Sequence, residues 1–427
     1  MDSTRRQFVG LCFSAPLFTG ATSRQSLDDN PGWPSTFPAL RQSVHSHPLT
    51  YLDSAATTLR PQSVIDALVQ YYSSDNANPS RVHTLASRAA DHLANARRTV
   101  ARFINAPDPA EIVFVRGTTE GVNLVASTWA ATNLEMGDEV VLSNAEHASN
   151  LLPWTRIARE RLATVRVVDV DDEGRLQPTA VKRMLSKRTR IVALTHVSNV
   201  LGAVNPIKEI CALARDAGAY VIVDGAQGAP HVRIDVQDLD CDFYIFSGHK
   251  MLGPMATGVV WGRRELLEAM PPYHVGSNMA HAVDFERAEF EHGAQKFQAG
   301  TPDVAGPIGL AAAIRFFEAA GHDALWRYDR ALVAHGLERL LRIPRLRLIG
   351  PRNADQRVPV FTFILEGRAP TEIAKALDAQ GIAVRAGDMA ALPLLKRFGA
   401  SEAIRASAYV YSTIRDLDRL ADALMQV

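Results

Sequence analysis

The sequence predicts an α/β protein: a large mixed, mostly parallel sheet domain covered by helices, followed by a smaller C-terminal α+β domain. Three observations predict it. Short Val- and Ile-rich runs alternate with amphipathic helical patterns between Glu111 and Trp261, the order that gives parallel strands covered on both faces. Several runs end in a polar residue, as Val221-Ile222-Val223-Asp224 does, which places a site at the C-terminal edge of the sheet. After about Pro307 the texture changes to long helical patterns and one alternating segment, Val358 to Leu365.

Taken in order, the chain opens on Met-Asp-Ser-Thr-Arg5-Arg6-Gln-Phe8-Val9 and a modest apolar stretch to Phe18. This fits the twin-arginine (Tat) export pattern, so residues 1–27 are expected to be a signal peptide, cleaved between about Gly20 and Asp29. That route carries folded proteins, which implies a periplasmic location, the Tat export machinery as a partner, and a cofactor inserted before export. Residues 28–50, with Pro31, Pro34, Pro38 and Pro48, read as a linker or arm. The large domain is expected over 51–306 and the small one over 307–427.

Pro61 opens a helix running to Tyr72, and Thr84 to Ile104 has helical spacing, with Leu85, Leu93, Ala96, Val100 and Phe103 on one stripe. Strands are expected at 111–115, 139–143, 164–170, 190–195, 220–224, 242–247 and 258–261. Helices are expected at 118–131, 150–161, 178–186 and 207–217. The C-terminal part adds helices at 308–320, 323–342 and 370–380 and one after Ile414.

Composition removes several function classes. Lys plus Arg and Asp plus Glu each number 46, so no charge imbalance points to nucleic acid or an acidic membrane. No run of about 18 apolar residues offers a membrane span. Cys12, Cys211 and Cys241 have no metal-ligand spacing; a Cys211–Cys241 disulfide stays open, with two buried thiols the expectation. The histidines of 271–298 (His274, His281, His292) read equally as a pocket rim or as solvated loop residues, and none has a metal partner at the right spacing.

Four segments at expected strand ends carry the chemistry. Gly117-Thr118-Thr119-Glu120-Gly121 lies between a strand and a helix, where amides, hydroxyls and the helix N-terminus suit a phosphate, although Thr and Gly also cap helices. Glu146-His147 follows a strand, so His147 could stack on an aromatic ring. Asp224 ends a run of apolar residues, where an unpaired carboxylate is costly. Ser247-Gly248-His249-Lys250 puts a lysine at a buried strand end, a poor place for it unless it has a task. A Schiff base from Lys250 to pyridoxal 5'-phosphate (PLP), with Asp224 against the protonated pyridine nitrogen, resolves both costs.

The order Arg-Gly-Thr-Thr-Glu-Gly, Glu-His, Thr-His-Val-Ser-Asn-Val-Leu-Gly (195–202), Val-Asp-Gly-Ala-Gln, Phe-Ser-Gly-His-Lys and Ala-Gly-Thr-Pro (299–302) resembles the class V aminotransferase family, most of all the group II cysteine desulfurases. The resemblance runs from about Tyr51 to the C-terminus. It implies a fold-type I PLP-dependent enzyme and a homodimer with sites near the interface. By that resemblance Lys250 carries the cofactor and moves protons at Cα, His147 stacks on the ring, and Gln227 meets its phenolic oxygen. Thr118, Thr119, Ser247 and His249 hold the phosphate, with Thr301 arriving from the partner subunit. Asn199 and Arg405 match residues that grip the substrate's α-carboxylate, a task suited to arginine's two-pronged fork. His83 and Arg385 match substrate-side positions.

One departure bears on the reaction. Desulfurases of this group carry a persulfide-forming cysteine in Arg-x-Gly-His-His-Cys-Ala-x-Pro, where this chain reads Arg385-Ala-Gly-Asp388-Met389-Ala390-Ala-Leu-Pro393. Without a thiolate there is no acceptor for sulfur. A complete PLP constellation, Ala390 and an export leader together resemble the periplasmic PLP enzymes of siderophore (pyoverdine) maturation. That implies conversion of a precursor peptide's N-terminal glutamate to a succinamide side chain by oxidative decarboxylation. The alternatives are an aminotransferase or epimerase of a small amino acid, an unconventional cysteine desulfurase or lyase, and a non-catalytic PLP fold.

Overall fold

The computed structural model describes residues 32–427. The expected export signal, and the start of the linker, lie outside the described residues.

Seven strands form the large sheet: β1 (Ile112–Val115), β2 (Glu139–Ser143), β3 (Thr164–Val168), β4 (Thr189–Thr195), β5 (Tyr220–Asp224), β6 (Phe243–Ser247) and β7 (Gly258–Gly262). Their spatial order is β1-β7-β6-β5-β4-β2-β3. β7 is antiparallel to both neighbours and every other pairing is parallel. β1 therefore runs with the rest, and the C-terminal ends of β1, β2, β4, β5 and β6 share one edge.

The period of two along a strand explains the unbroken apolar runs. Val221, Val223, Tyr244 and Phe246 enter one core, whereas Ile222, Ile245, Val140 and Leu142 enter the core on the opposite face. Both faces of the central strands are dry, so their middle positions are apolar.

The helices occupy the expected intervals, with local differences; the one expected from Pro61 to Tyr72 is α-helical over Gln62–Gln70 and continues as a π turn, Tyr71–Asp75. In Thr84–Phe103 the buried stripe is made by Ala86, Ala89, Leu93, Ala96 and Val100, while Leu85 stays 42% exposed. The helix expected over 118–131 is α-helical only to Val125 and then widens into a π turn, Ala126–Ala130. There the Thr128 hydroxyl donates to the Leu124 carbonyl at 2.7 Å, competing with the backbone ladder.

The C-terminal part carries an antiparallel sheet in the order Leu346–Ile349, Val360–Leu365, Ala403–Ser407, Arg385–Gly387. Helices His322–Leu340 and Ile414–Gln426 pack on each other, the latter opened by a Thr413/Asp416 capping box. Leu52 joins this core and its carbonyl accepts from Ser407 N–H at 2.7 Å, while Thr50–Tyr51 pairs with Ile382–Ala383. Residues 50–55 thus cross from the large sheet to the small one, over the edge where the site lies. The preceding arm is docked as well: Phe37 is fully buried, 4.8 Å from the Tyr411 ring centre. Cys211 and Cys241 are buried free thiols. Among the described residues no helix is long and apolar enough to cross a membrane, and no cluster of metal-ligating side chains occurs.

Candidate active site

A cavity of about 500 Å³ opens at the shared C-terminal edge. β7 brings its first segment together. Gly258 lies so close to Gly117 that a Cβ on it would stand 2.5 Å from the Gly117 Cα. That approach lets the loop after β1 reach the end of β6, where Ser247 Oγ accepts from Thr118 N–H at 2.8 Å and sits 2.7 Å from Thr118 Oγ1. Helix Thr118–Val125 begins there, and Thr118 and Thr119 at its N-terminus line the cavity with Ser247 and His249. Thr119 Oγ1 is 2.8 Å from Ser149 Oγ. Hydroxyls around a positive helix end make a cradle for a phosphate group.

Lys250 follows Ser247 through a single 3₁₀ turn, Gly248–Lys250, and faces the cavity. Burial pulls its ammonium below the ordinary lysine range; Asp224 opposes the shift and Arg405 adds to it. Asp224, at the end of β5, is 3% exposed. Burial pushes its carboxyl up, against the Ala226 N–H, which donates to Oδ1 at 2.9 Å, and against Lys250. No other hydrogen bond reaches that side chain among the described residues, so a cation presented from the cavity is the partner it lacks. Burial also pushes His249 down to about 4.

His147 caps the turn Ala148–Asn150, its Nδ1 accepting from Ser149 N–H at 3.1 Å, so the neutral ring carries its proton on Nε2. Burial, then Lys250 and Arg405, push its pKa down to about 4, while Asp388 opposes them. A neutral imidazole can stack on an aromatic ring beside a lysine without adding positive charge. Behind it Glu146 is 1% exposed, accepts from Ser143 Oγ, and takes Asn150 Nδ2 at 2.7 Å. Burial raises its carboxyl to about 8, so it is mostly uncharged at neutral pH.

The opposite wall comes from the small sheet. Arg405, 3% exposed, donates through Nη1 to the Asn199 carbonyl at 3.0 Å and through Nη2 to Asp53 Oδ1 at 3.2 Å. Its Nε is buried without a partner. Arg385 Nη2 donates to Asp53 Oδ2 at 2.6 Å. The loop Gly387–Ala390 closes this wall, with Met389 and Ala390 in the left-handed region at φ 49° and 54°. Asn199 Nδ2 donates to the Met389 carbonyl at 3.0 Å, and Ala148 N–H to the Ala390 carbonyl at 2.7 Å.

The cavity thus gathers the expected phosphate, ring and carboxylate residues, with qualifications. Gln227 lines it, but one amide N–H is spent on the Ala55 carbonyl at 2.7 Å. Asn199 lines it with its amide donor engaged by Met389, so it braces the wall as well as facing it. His83 does not line it: exposed, it caps helix Thr84–Phe103 by accepting from Ala86 N–H at 3.3 Å. Thr301 lies in another cavity, of about 400 Å³, with Arg116, Ala256 and His274. His281 and His292 pair with Glu289 and Glu268 outside the Lys250 cavity. Asp53, Glu146 and Asp388 went unmarked in the sequence. Asp53 ends an apolar Tyr-Leu step much as Asp224 ends its strand, which was the available signal.

Pocket residues and bonding pattern suit PLP: a hydroxyl-lined helix terminus, a lysine, a buried acid short of one cation, and a histidine free to stack. Residues 50–420 match the family model described as Aminotransferase class-V. A cysteine desulfurase of Synechococcus elongatus is 44% identical over 97% of this chain, which spans 66% of that protein's length. A probable cysteine desulfurase of Halalkalibacterium halodurans is 44% identical, over 91% of this chain and 95% of that one. Among solved structures, the cysteine desulfurase CsdA of Escherichia coli superposes with a TM-score of 0.86 at 37% identity, covering 93% of this chain and 98% of its own. The cystine C-S lyase C-DES shares the fold, with a TM-score of 0.79 at 22% identity, covering 91% of this chain and 99% of its own.

Proposed function

The chain belongs to the class V aminotransferase family, a family of PLP-dependent enzymes, and we propose that it is a periplasmic enzyme of pyoverdine siderophore maturation. In this reading it converts the N-terminal glutamate of a precursor peptide to a succinamide side chain. The balance is RCH(NH₂)COOH + O₂ → RCONH₂ + CO₂ + H₂O: the bond from Cα to the carboxyl carbon breaks, nitrogen stays, and oxygen is the oxidant.

The observation that carries this reading is the absence of a sulfur acceptor. Ala390 lines the cavity at the position matched to the desulfurase cysteine, and no described residue lining the cavity is a cysteine. The remaining described thiols are buried elsewhere; burial raises Cys211 to about 12 and Cys241 well above the ordinary range, so neither is a thiolate.

PLP, when bound, supplies an electron sink for the pair released as a bond to Cα breaks. Lys250 holds it and, with a pKa lowered by burial, exchanges a proton at Cα. Asp224 keeps the ring nitrogen protonated. Arg405, which lines the cavity with its head fixed by Asp53 and Asn199, orients the α-carboxylate. A second copy of the chain would contribute the partner subunit's Thr301 to the phosphate cradle. The expected export leader supports the periplasmic setting.

The test is incubation of the mature protein with a peptide joined to its N-terminal glutamate through the γ-carboxyl, so that the α-carboxyl is free, read by mass with and without oxygen. Loss of CH₂O only with oxygen fits the proposal; an unchanged mass, or an oxo acid, would sink it. Sulfide or persulfide release from cysteine would favour a desulfurase that works without this thiol.

A further inference from the structure

The wall facing the cofactor end of the cavity contains a charge that the reaction does not use. Asp388 lines the cavity at its exposed mouth, on the loop Gly387–Ala390. Its Oδ1 accepts from Ala390 N–H at 3.0 Å, an Asx turn that fixes the carboxylate, while among the described residues Oδ2 accepts no hydrogen bond. The loop itself is pinned by Asn199 and Ala148, so the carboxylate is held in place before any substrate arrives. Elsewhere on this wall the two arginines are already paired, Arg385 and Arg405 sharing Asp53.

Lys250, Asp224 and His147 line the cavity together with Arg405, the arginine assigned to the α-carboxylate. Of the two carboxylates that line the cavity, Asp224 is buried and Asp388 is exposed on the loop at the mouth. We propose that Asp388 is a specificity residue: its carboxylate receives an N–H carried on the substrate's side chain. The cavity then takes an amino acid whose distal carboxyl is tied up as an amide in preference to the free dicarboxylic acid. A distal amide offers the N–H that Oδ2 lacks, whereas a free distal carboxylate brings like charge against it. This rests on reading the cavity as an amino-acid site, and names the substrate class within it.

The test is equilibrium binding to the cofactor-loaded protein without oxygen, comparing L-glutamate with its γ-N-alkyl amide. In the wild type the amide binds about fivefold tighter, the size of one exposed charge contact. In Asp388→Asn, which keeps Oδ1 for Ala390 N–H and hence the loop, the ratio falls to parity or reverses, with cofactor absorbance unchanged. Equal binding in the wild type, or the same preference in Asp388→Asn, would overturn the proposal. If the preference holds and disappears in the variant while the peptide is not converted in oxygen, the specificity stands and the reaction assignment falls. If conversion proceeds without the preference, the reverse is true.

Discussion

Asp53 joins Arg385 and Arg405: its Oδ2 lies 2.6 Å from Arg385 Nη2 and its Oδ1 3.2 Å from Arg405 Nη2. Arg405 is buried, and burial lowers its guanidinium pKa against the pull of Asp53. One carboxylate therefore sets the aim of the arginine assigned to the substrate. Asp53→Asn removes a charge-assisted contact worth about 1.5–3 kcal/mol. KM should rise about tenfold or more, with cofactor absorbance retained. An unchanged KM would show that Asn199 alone positions Arg405.

Lys250→Ala should abolish the absorbance of covalently held cofactor while leaving the protein folded. A retained band would mean that another lysine carries it.

Gly258→Ala tests the approach that builds the phosphate cradle. Its new Cβ would lie 2.5 Å from Gly117 Cα and 2.8 Å from the Phe246 carbonyl, both backbone atoms with little room to yield. Overpacking of this kind costs about 1–3 kcal/mol. Thermal unfolding should come earlier and cofactor affinity should drop together; a neutral result would show that β1 and β7 can separate freely.

Glu146 gives a pH dependence of known sign. Its carboxyl titrates near 4.5 when exposed and at about 8 in the fold. The folded state therefore binds the extra proton, and this stabilisation is present below about 4.5 and lost as pH rises toward 8. His196 runs the other way: pushed down to about 4 by burial, it costs stability as pH falls from 6.5 toward 4. Glu146→Gln should flatten the loss of melting temperature between about pH 4.5 and about 8 and leave the behaviour below that window unchanged. An unaltered alkaline slope would contradict the assignment.

The strand ends were legible because their signal is local. Asp224 and Lys250 each sit where an apolar run stops, and period-two burial on both faces makes such runs continuous. The second wall was legible only in part. Arg405 reaches Asp53 across 352 positions, and the contact depends on residues 50–55 crossing to the small sheet, which no local pattern encodes. Asp388 has no local signal: it stands in a stretch, Asp388-Met389-Ala390, that departs from the family motif at three successive positions. His83 has the sequence neighbours of a site residue, yet a helix N-terminus claims its ring.

The most direct measurement uses a peptide joined to its N-terminal glutamate through the γ-carboxyl, with ¹³C in the free α-carboxyl group, and follows carbon dioxide release and oxygen uptake together. The account predicts labelled CO₂ released in step with oxygen consumed, and an unlabelled amide product. Label retained in an oxo acid or in recovered peptide would contradict it.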